Sequence, residues 1–391
     1  MDKLKQEISQ HLTTKILPFW MNLKDEEQGG YYGYMNYDLQ VDKQAVKGCI
    51  LNSRILWFFS NACTCLQDKE LLPYARHAYE FLKSACLDQV YGGVFWSVTW
   101  DGKVEDGTKH IYNQAFAVYA LSSYYEASGE QEALDIAWKL FTLIETRGKD
   151  NGGYLEAFMQ DFQTPAGNEK LSENGVMAER TMNTLLHVFE AYTELYRVTK
   201  DNRVKKPLEE MLTLFSTKVY NPARHRQEVF FDKEWNSLID LYSYGHDIET
   251  AWLIDRGCEV LGDPVITEKM GKITRDLAEN VYQAAYHNHS LWNERERGTE
   301  NKTRVWWVQA ESVVGFLNAS EKMPEHPEYR QAAEEIWEYI KTYLVDKRNG
   351  SEWFWEVNDE GKPESRKPIV EPWKCPYHNG RMCFEVIRRL K

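Results

Sequence analysis

The sequence lacks the features that usually mark metal, redox or nucleotide-binding proteins. Its seven cysteines include no CxxC pair and are odd in number, so they do not indicate a disulfide framework. There is no GxxxxGK[ST] phosphate loop, no strand-linked GxGxxG loop and no GxSxG nucleophile turn. His287 and His289 lie two residues apart without a cluster of acid or thiol ligands around them. We therefore expect no metal and no cofactor, and the cysteine usage fits a reducing cytoplasm.

Concentrated positive charge and long apolar runs are also missing. The chain carries 47 Lys and Arg against 60 Asp and Glu, a net charge of −13, and its basic residues are scattered. A nucleic acid or an anionic membrane surface is therefore an unsuitable partner. No window is apolar and uncharged enough to span a bilayer. The first residues carry charges throughout, which predicts an amphipathic helix rather than a secretory signal and leads us to expect a cytoplasmic protein.

Aromatic residues, in contrast, are abundant and periodic. The 391 residues include 14 Trp, 23 Tyr and 16 Phe, enough for a large core. Short glycine- and aromatic-rich segments recur, each with the alternation typical of a short strand or hairpin. They are centred on Gly30, Gly93, Gly153, Phe231, Trp292 and Trp353, at intervals of 63, 60, 78, 61 and 61 residues.

Two amphipathic helical patterns lie between consecutive segments, which gives twelve helices in six pairs. Repeated helix pairs form either an open solenoid or a closed ring, and the apolar last helix favours closure because it lacks a polar cap. We therefore predict one all-α domain over residues 1–391, an (α/α)6 toroid with hairpins around one mouth, acting as a monomer. The predicted helices are 2–23, 47–67, 70–87, 109–128, 130–147, 176–199, 203–219, 245–262, 264–285, 304–320, 326–344 and 374–390.

The second helix of each pair carries unusual polar and aromatic residues in its opening turns. If the ring closes, these residues converge on one cavity. They are Arg54, Tyr112, Asn183, His187, His246, Glu249, Trp306, Trp307, Glu311, His378 and Arg381, and Trp373 precedes the last helix.

The pair His246 and Glu249 illustrates how such residues are interpreted. At spacing i, i+3 the two side chains share a helix face, so the carboxylate could orient the imidazole. A helix start that merely favours acidic residues explains one such pair equally well. Three histidines at matching positions of a repeat, with His187 and His378, favour a functional site instead.

A cavity with aromatic walls, arginine and amide donors and several imidazoles suits a neutral polyhydroxylated ligand, and carbohydrate is the obvious class. Imidazoles can shuttle the proton next to a sugar aldehyde if the developing charge on the carbonyl oxygen is stabilised, for example by Arg54. Bases on both faces of an enediolate, such as His246 and His378, would give the C2 epimer. One base that returns the proton to C1 would give a ketose.

Three stretches carry a resemblance to a known family: "YSYGHDIETAWL", "RVWWVQAESVVGFLNA" and "EPWKCPYHNGRMCFEVIRRL". They closely resemble the cellobiose 2-epimerases, a branch of the N-acylglucosamine 2-epimerase superfamily. Weaker similarity near the N-terminus extends the resemblance over the whole chain. The resemblance implies an (α/α)6 barrel, no cofactor, and C2 epimerisation of the reducing-end glucose of a β-1,4-linked disaccharide such as cellobiose or lactose.

The resemblance also implies roles for individual residues. His246 and His378 would be the acid and base at C2, with Glu249 supporting His246 and His187 assisting ring opening. Arg54 would lie near the C1 and C2 oxygens of the sugar. The remaining positions match sugar contacts: Tyr112, Asn183, Trp307 and Trp373, the last of which would stack on the second sugar unit.

Three alternatives remain open on the sequence. An aldose–ketose isomerase acting on mannose or a related monosaccharide is the nearest. A glycoside hydrolase on the same ring could use Glu249 and Glu311 as its two carboxylates. A non-catalytic sugar-binding toroid would bind ligand without exchanging the proton at C2.

Overall fold

The computed structural model describes residues 2–167 and 174–391. Most of these residues are helical. The helices are α1 (Lys3–His11), α2 (Leu17–Met21), α3 (Cys49–Leu66), α4 (Leu72–Phe81), α5 (Ile111–Ser128), α6 (Gln131–Arg147), α7 (Met182–Thr199), α8 (Asn202–Leu214), α9 (Tyr244–Leu261), α10 (Pro264–Ala285), α11 (Trp306–Lys322), α12 (Pro327–Tyr339) and α13 (His378–Arg389). A π-helical turn (Leu12–Ile16) joins α1 to α2, and similar turns continue α4 (Leu82–Cys86), α8 (Phe215–Val219) and α12 (Ile340–Leu344).

The helices form a closed double ring. In the inner ring α3, α5, α7, α9, α11 and α13 each pack against the next, and α13 returns to pack against α3. Each outer helix packs against an inner one, and the sixth pair joins α1 to α13. The Lys5 ammonium donates to the Leu390 carbonyl (2.7 Å), which ties this pair together. The predicted (α/α)6 toroid is confirmed.

The inner and outer helices differ in composition and in how much of their surface is buried. Nearly every residue of the inner helices α3 and α5 is buried, polar ones included, because neighbours surround these helices. The outer helices α6 and α10 bury only one face and expose charged residues on the other.

Short antiparallel strands connect the helices at one end of the ring, as the aromatic segments predict. Hairpins follow the outer helices, either as paired strands or as single bridges such as Lys24 to Tyr31 and Leu87 to Val94. The strands are β1 (Lys47–Gly48), β2 (Ser97–Val98), β3 (Val104–Asp106), β4 (Lys109–His110), β5 (Lys149–Asp150), β6 (Gly153–Tyr154), β7 (Ala157–Phe158), β8 (Pro165–Ala166), β9 (Arg180–Thr181), β10 (Tyr220–Asn221), β11 (Arg226–Gln227), β12 (Phe230–Phe231), β13 (Leu241–Ser243), β14 (Tyr286–His287), β15 (Ser290–Leu291), β16 (Glu294–Glu296), β17 (Thr299–Asn301), β18 (Arg304–Val305) and β19 (Glu356–Val357). They pair in the orders β1-β2-β3, β4-β7-β8, β5-β6, β9-β12, β10-β11, β13-β16-β17, β14-β15 and β18-β19.

An ion pair, fully buried in two cases and partly exposed at Asp150 in the third, fixes three of these hairpins to the inner helix that follows. In each, an aspartate caps the turn by accepting hydrogen bonds from backbone N–H groups. The carboxylate of the same aspartate also binds a cation that lies two residues before the helix. In the second hairpin, Asp88 Oδ1 accepts from Val90 N and Tyr91 N while Oδ2 binds Lys109 Nζ. The pairs are Lys47–Asp25 (2.7 Å), Lys109–Asp88 (2.9 Å) and Arg180–Asp150 (2.6 Å).

Several predicted helix boundaries are wrong by a few residues. The predicted starts at 47, 109 and 304 fall in two-residue strands that precede α3, α5 and α11. The predicted helix 176–199 begins only at Met182, where Thr181 accepts from Thr184 N as an N-cap. The predicted helix 374–390 begins at His378, because Pro376 disfavours helical backbone at Cys375.

Across residues 2–167 and 174–391, we find no helix whose length and apolar content would let it traverse a lipid bilayer.

Replacement of Asp88 by Asn should destabilise the fold by about 3–5 kcal/mol, because it leaves the buried Lys109 ammonium without a counter-charge. The Asn oxygen can still cap the turn, so the measurement reports the loss of the second carboxylate oxygen, which accepts from Lys109 (2.9 Å) and from Gln160 (3.1 Å). Chemical denaturation followed by circular dichroism gives the free energy of unfolding.

The matched control is Glu360→Gln, which removes the exposed pair with Lys362 (2.7 Å). It should cost less than about 1 kcal/mol. Equal effects of the two substitutions would contradict the structural role of the buried pair.

Candidate active site

A cavity of about 140 Å³ lies at the N-terminal end of the inner ring. All six inner helices contribute side chains from their opening turns, so the cavity marks the axis of the toroid. Residues from the connecting strands and loops complete its wall. The lining residues are Arg54, Tyr112, Asn174, Thr181, Asn183, His187, Val229, Phe230, Leu241, Ser243, His246, Glu249, Asn293, Glu294, Trp306, Trp307, Trp355, Trp373 and His378.

The structure brings the sequence-predicted site residues together in this cavity, and all but two of them line it. The two exceptions, Glu311 and Arg381, are buried directly behind the wall, with exposed fractions of 0% and 1%. They contact cavity-lining residues instead of the cavity itself.

His378 is the first residue of α13, and its Nδ1 lies 2.7 Å from Glu311 Oε1 on the neighbouring helix α11. This hydrogen bond holds the imidazole so that its other nitrogen, Nε2, is the one available to the cavity. Glu311 is itself fixed, because Trp252 Nε1 donates to its second oxygen (3.0 Å).

His187 has a carboxylate partner of the same kind. Its Nδ1 lies 2.9 Å from Glu190 Oε2, one helical turn further along α7. The Tyr377 hydroxyl donates to the same oxygen (2.5 Å). Glu190 is a site residue that our sequence reasoning missed, although its i, i+3 spacing from His187 repeats the pattern recognised at His246 and Glu249.

Glu249, which we expected to orient and support His246, does not hydrogen-bond to its ring. The Nδ1 of His246 lies 2.7 Å from the hydroxyl of Ser243, the residue that precedes α9. Glu249 instead accepts a hydrogen bond from Arg381. Its influence on His246 is therefore electrostatic, because it raises the pKa of the imidazole through space.

Arg381 is the centre of the buried charge cluster. Its guanidinium binds Glu190 (2.5 Å), Glu249 and Glu311 (2.6 Å), which belong to three different inner helices. Burial opposes ionisation of Glu190, but Arg381 and His187 outweigh it and hold the pKa of this carboxyl at about 2. Burial raises the pKa of Glu311, an effect that Glu249 reinforces and Arg381 opposes.

Glu249, Glu311 and His378 together form a group with the spacing of a metal site. Among the described residues no other such group is found. Arg381 binds both carboxylates of the group, so a protein cation already supplies the positive charge that a metal ion would bring.

Arg54 of α3 lines the cavity and is enclosed by aromatic rings. Its Nη2 donates to the Tyr112 hydroxyl (2.8 Å), and its guanidinium carbon lies 4.2 Å from the centre of the Phe116 ring. These contacts position one nitrogen edge of a permanently charged group at the cavity wall.

Burial also controls the charge of the imidazoles. It lowers the pKa of His246 to about 4, with Glu249 opposing and His187 adding to the shift. It lowers the pKa of His378 well below its usual range, assisted by the positive charges of Arg381 and Arg54. Both side chains are therefore neutral near pH 7 and can accept a proton.

One tryptophan joins the two imidazoles. The ring centre of Trp307 lies 4.8 Å from that of His246 and 5.4 Å from that of His378. Gly245 permits this approach, because a Cβ at that position would lie 2.6 Å from the Trp307 ring. The glycine that precedes His246 is thus explained by packing against this indole.

Further aromatic residues line the remaining wall. Trp306 packs on Trp355, with ring centres 4.8 Å apart, and Trp373 packs on Tyr112 at 6.0 Å. Sequence reasoning did not identify several wall residues because they come from strands and loops without a distinctive spacing. These are Thr181, Val229, Phe230, Leu241, Ser243, Asn293, Glu294 and Trp355, together with Asn174.

Comparison with known proteins identifies the class. The profile of the family described as N-acylglucosamine 2-epimerase (GlcNAc 2-epimerase) matches residues 30–379. The chain belongs to this family of sugar epimerases and is an isomerase.

Particular relatives define the similarity further. The chain is 53% identical to a cellobiose 2-epimerase of Eubacterium cellulosolvens, over 97% of each chain. It superposes on the crystal structure of a sugar epimerase from a ruminal bacterium with a TM-score of 0.97 and 49% identity, over 99% of each chain. A D-mannose isomerase structure shares the fold, with a TM-score of 0.86 at 19% identity over the full length of both chains.

Substitution of Gly245 by Ala should displace Trp307 from its position between the two imidazoles, since the new methyl group would occupy space now filled by the indole. We expect a loss of stability of about 1–3 kcal/mol and a lower rate of sugar epimerisation. Thermal unfolding and a product assay measure the two effects.

Gly271→Ala is the matched control, because a Cβ there would meet only the flexible end of Arg275. This substitution in α10 should be neutral or stabilising by up to about 1 kcal/mol. Unchanged activity in Gly245→Ala would show that the position of Trp307 is unimportant.

Proposed function

We propose that the protein epimerises C2 of the reducing-end glucose of β-1,4-linked disaccharides, converting cellobiose to glucosyl-mannose and lactose to epilactose without a cofactor. The observation that carries this proposal is the pair of neutral imidazoles, His246 and His378, which come from different helices and pack on one indole. The similarity to a protein named cellobiose 2-epimerase supports the choice of a disaccharide.

The reaction begins with the open-chain aldehyde. His187, held by Glu190, assists ring opening by exchanging a proton with the ring oxygen or the anomeric hydroxyl. Arg54 then lies near the C1 and C2 oxygens and polarises the carbonyl. The aromatic residues Trp373 and Tyr112 and the amide of Asn183 contact the sugar, with Trp373 stacking on the second, non-reacting unit.

Starting from one epimer, Nε2 of His246 removes the proton from C2. The electron pair of the C–H bond forms the C1=C2 double bond, and the π pair of the carbonyl moves onto the C1 oxygen, which gives a cis-enediolate. The guanidinium of Arg54 and the N-terminal ends of the inner helices stabilise the negative charge. His378 gives a proton to the opposite face of C2, which yields the other epimer. The two imidazoles exchange roles in the reverse direction.

The charge cluster can supply the required proton. Arg381 binds the three carboxylates Glu190, Glu249 and Glu311, so negative charge exceeds positive charge among these four groups. Burial raises the pKa of Glu311, which favours a bound proton on this carboxyl. The hydrogen bond between Glu311 and His378 can hold this proton. A protonated Glu311 donates to Nδ1 of His378, so the imidazole carries its own proton on Nε2, from which it can be transferred.

The arrangement of the carboxylates disfavours the hydrolase alternative. Retaining and inverting glycosidases need two carboxyl groups on either side of the glycosidic bond. Here Glu311 is fully buried and both Glu249 and Glu311 bind Arg381. Free glucose should therefore not accumulate from cellobiose. A separate test, the absence of a ketose product, would distinguish epimerisation from aldose–ketose isomerisation.

His246→Ala and His378→Ala should each lower epimerisation by at least about 10²-fold, the usual contribution of a general acid or base. The assay incubates cellobiose in D2O and follows by NMR both the mannose-type product and deuterium at C2. Circular dichroism checks that each variant is folded.

The control is His326→Ala, which removes a half-exposed imidazole outside the cavity that pairs with Glu328 and packs on Tyr329. It should retain full activity. The two-base assignment is wrong if either active-site variant keeps near-normal turnover.

The pH dependence of kcat/KM tests the electrostatic role of Glu249. Because His246 must be neutral to accept a proton, activity should persist on the acid side and fall only as the pH approaches the His246 pKa of about 4. Glu249 raises this pKa, so Glu249→Gln should move the acid limb to still lower pH. It should also reduce the rate, since Arg381 loses a partner; an unchanged profile would contradict the coupling.

A further inference from the structure

The Nδ1 partners of the three active-site histidines are not equivalent. His187 and His378 each face a buried carboxylate, Glu190 or Glu311. His246 faces the hydroxyl of Ser243 at 2.7 Å. A carboxylate stabilises an imidazolium strongly, whereas a hydroxyl offers an acceptor without a negative charge.

Local structure fixes this hydroxyl. Ser243 is the last residue of β13, where it pairs with Glu294 of β16, and it directly precedes the first turn of α9. Its side chain is 9% exposed and lines the cavity. Within the part of the chain that the structure describes, its hydroxyl has one hydrogen-bond partner, His246 Nδ1.

The imidazole has little freedom to find another partner. Trp307 packs against its ring, and the side chain of Gln227 donates to the His246 carbonyl (3.3 Å). The charged or titratable groups that act on it are Glu249 of its own helix, His187 of α7 and His378 of α13, and none of them hydrogen-bonds to its ring.

We propose that Ser243 is a positioning residue that accepts a hydrogen bond from Nδ1–H of His246 and thereby makes His246 the neutral base of the resting enzyme. The proposal rests on the proposed function, because His246 can take a proton at Nε2 only while its proton is on Nδ1. The same acceptor serves the imidazolium formed during turnover, so no side chain has to move.

The different Nδ1 partners give the two catalytic imidazoles different tasks. The pair of His378 and Glu311 can store a proton between two titratable groups. The pair of His246 and Ser243 cannot, because a serine hydroxyl does not titrate near neutral pH. In the resting enzyme, His246 is therefore unprotonated at Nε2 on one side of the sugar, and His378 carries a transferable proton on the other side.

The test combines kinetics with NMR of protein labelled with ¹⁵N-histidine. In the wild type, the His246 signals, assigned by their loss in His246→Gln, should show protonated Nδ1 and unprotonated Nε2 at pH 7. In Ser243→Ala the proton should move at least partly to Nε2, and kcat should fall about tenfold with a small change in KM, as expected for one lost hydrogen bond. Ser243→Thr, which keeps the hydroxyl, should restore the wild-type tautomer and most of the rate.

Ser122→Ala is the matched control, because Ser122 is also buried but lies within α5 and donates to the Val118 carbonyl of its own helix. It should leave both the His246 signals and kcat unchanged. The proposal is overturned if wild-type His246 carries its proton on Nε2, or if Ser243→Ala keeps the wild-type tautomer and rate. Failure of the proposed function is a separate result, since the wild-type enzyme would then neither epimerise cellobiose nor incorporate deuterium at C2.

Discussion

The active-site end of the ring depends on one buried guanidinium. Arg381 of α13 binds Glu190 of α7, Glu249 of α9 and Glu311 of α11, so a single side chain connects four of the six inner helices. Three carboxylates this close would repel one another without a cation. Loss of Arg381 would leave buried negative charge uncompensated, and it would also release the partners that orient His187 and His378. The geometry of the candidate site and the closure of the ring therefore depend on the same contacts.

Much of this arrangement could be predicted from the sequence, because it follows from repetition. The recurring aromatic segments gave the number of helix pairs, and matching positions in the repeats identified His187, His246 and His378. Contacts between helices could not be predicted in the same way. The partners His378 and Glu311 are 67 residues apart. Spacing along one helix placed Glu249 near His246 but did not reveal Ser243 as the hydrogen-bond partner of the imidazole. Spacing indicates which residues share a face, while rotamers and neighbouring helices decide which of them bond.

The hairpins show why the ring can support so polar a cavity. Each fixed hairpin supplies an aspartate that pairs with a buried cation two residues before an inner helix, as Asp88 does with Lys109 before α5. These pairs lie outside the cavity and anchor the start of the helix. They hold the starts of α3, α5 and α7 independently of the Arg381 cluster, which connects α7, α9, α11 and α13.

Pairing of α1 with α13 has a consequence for biosynthesis. The ribosome makes α1 before every other helix of the ring, whereas α13, which supplies both His378 and Arg381, is made after the other five inner helices. A nascent chain that has emerged only as far as α11 therefore lacks the helix that lies between α11 and α3. Its three acidic side chains, Glu190, Glu249 and Glu311, then lack the counter-charge of Arg381. Chaperone protection during translation would be most valuable over that interval, and the enzyme gains activity in one late step.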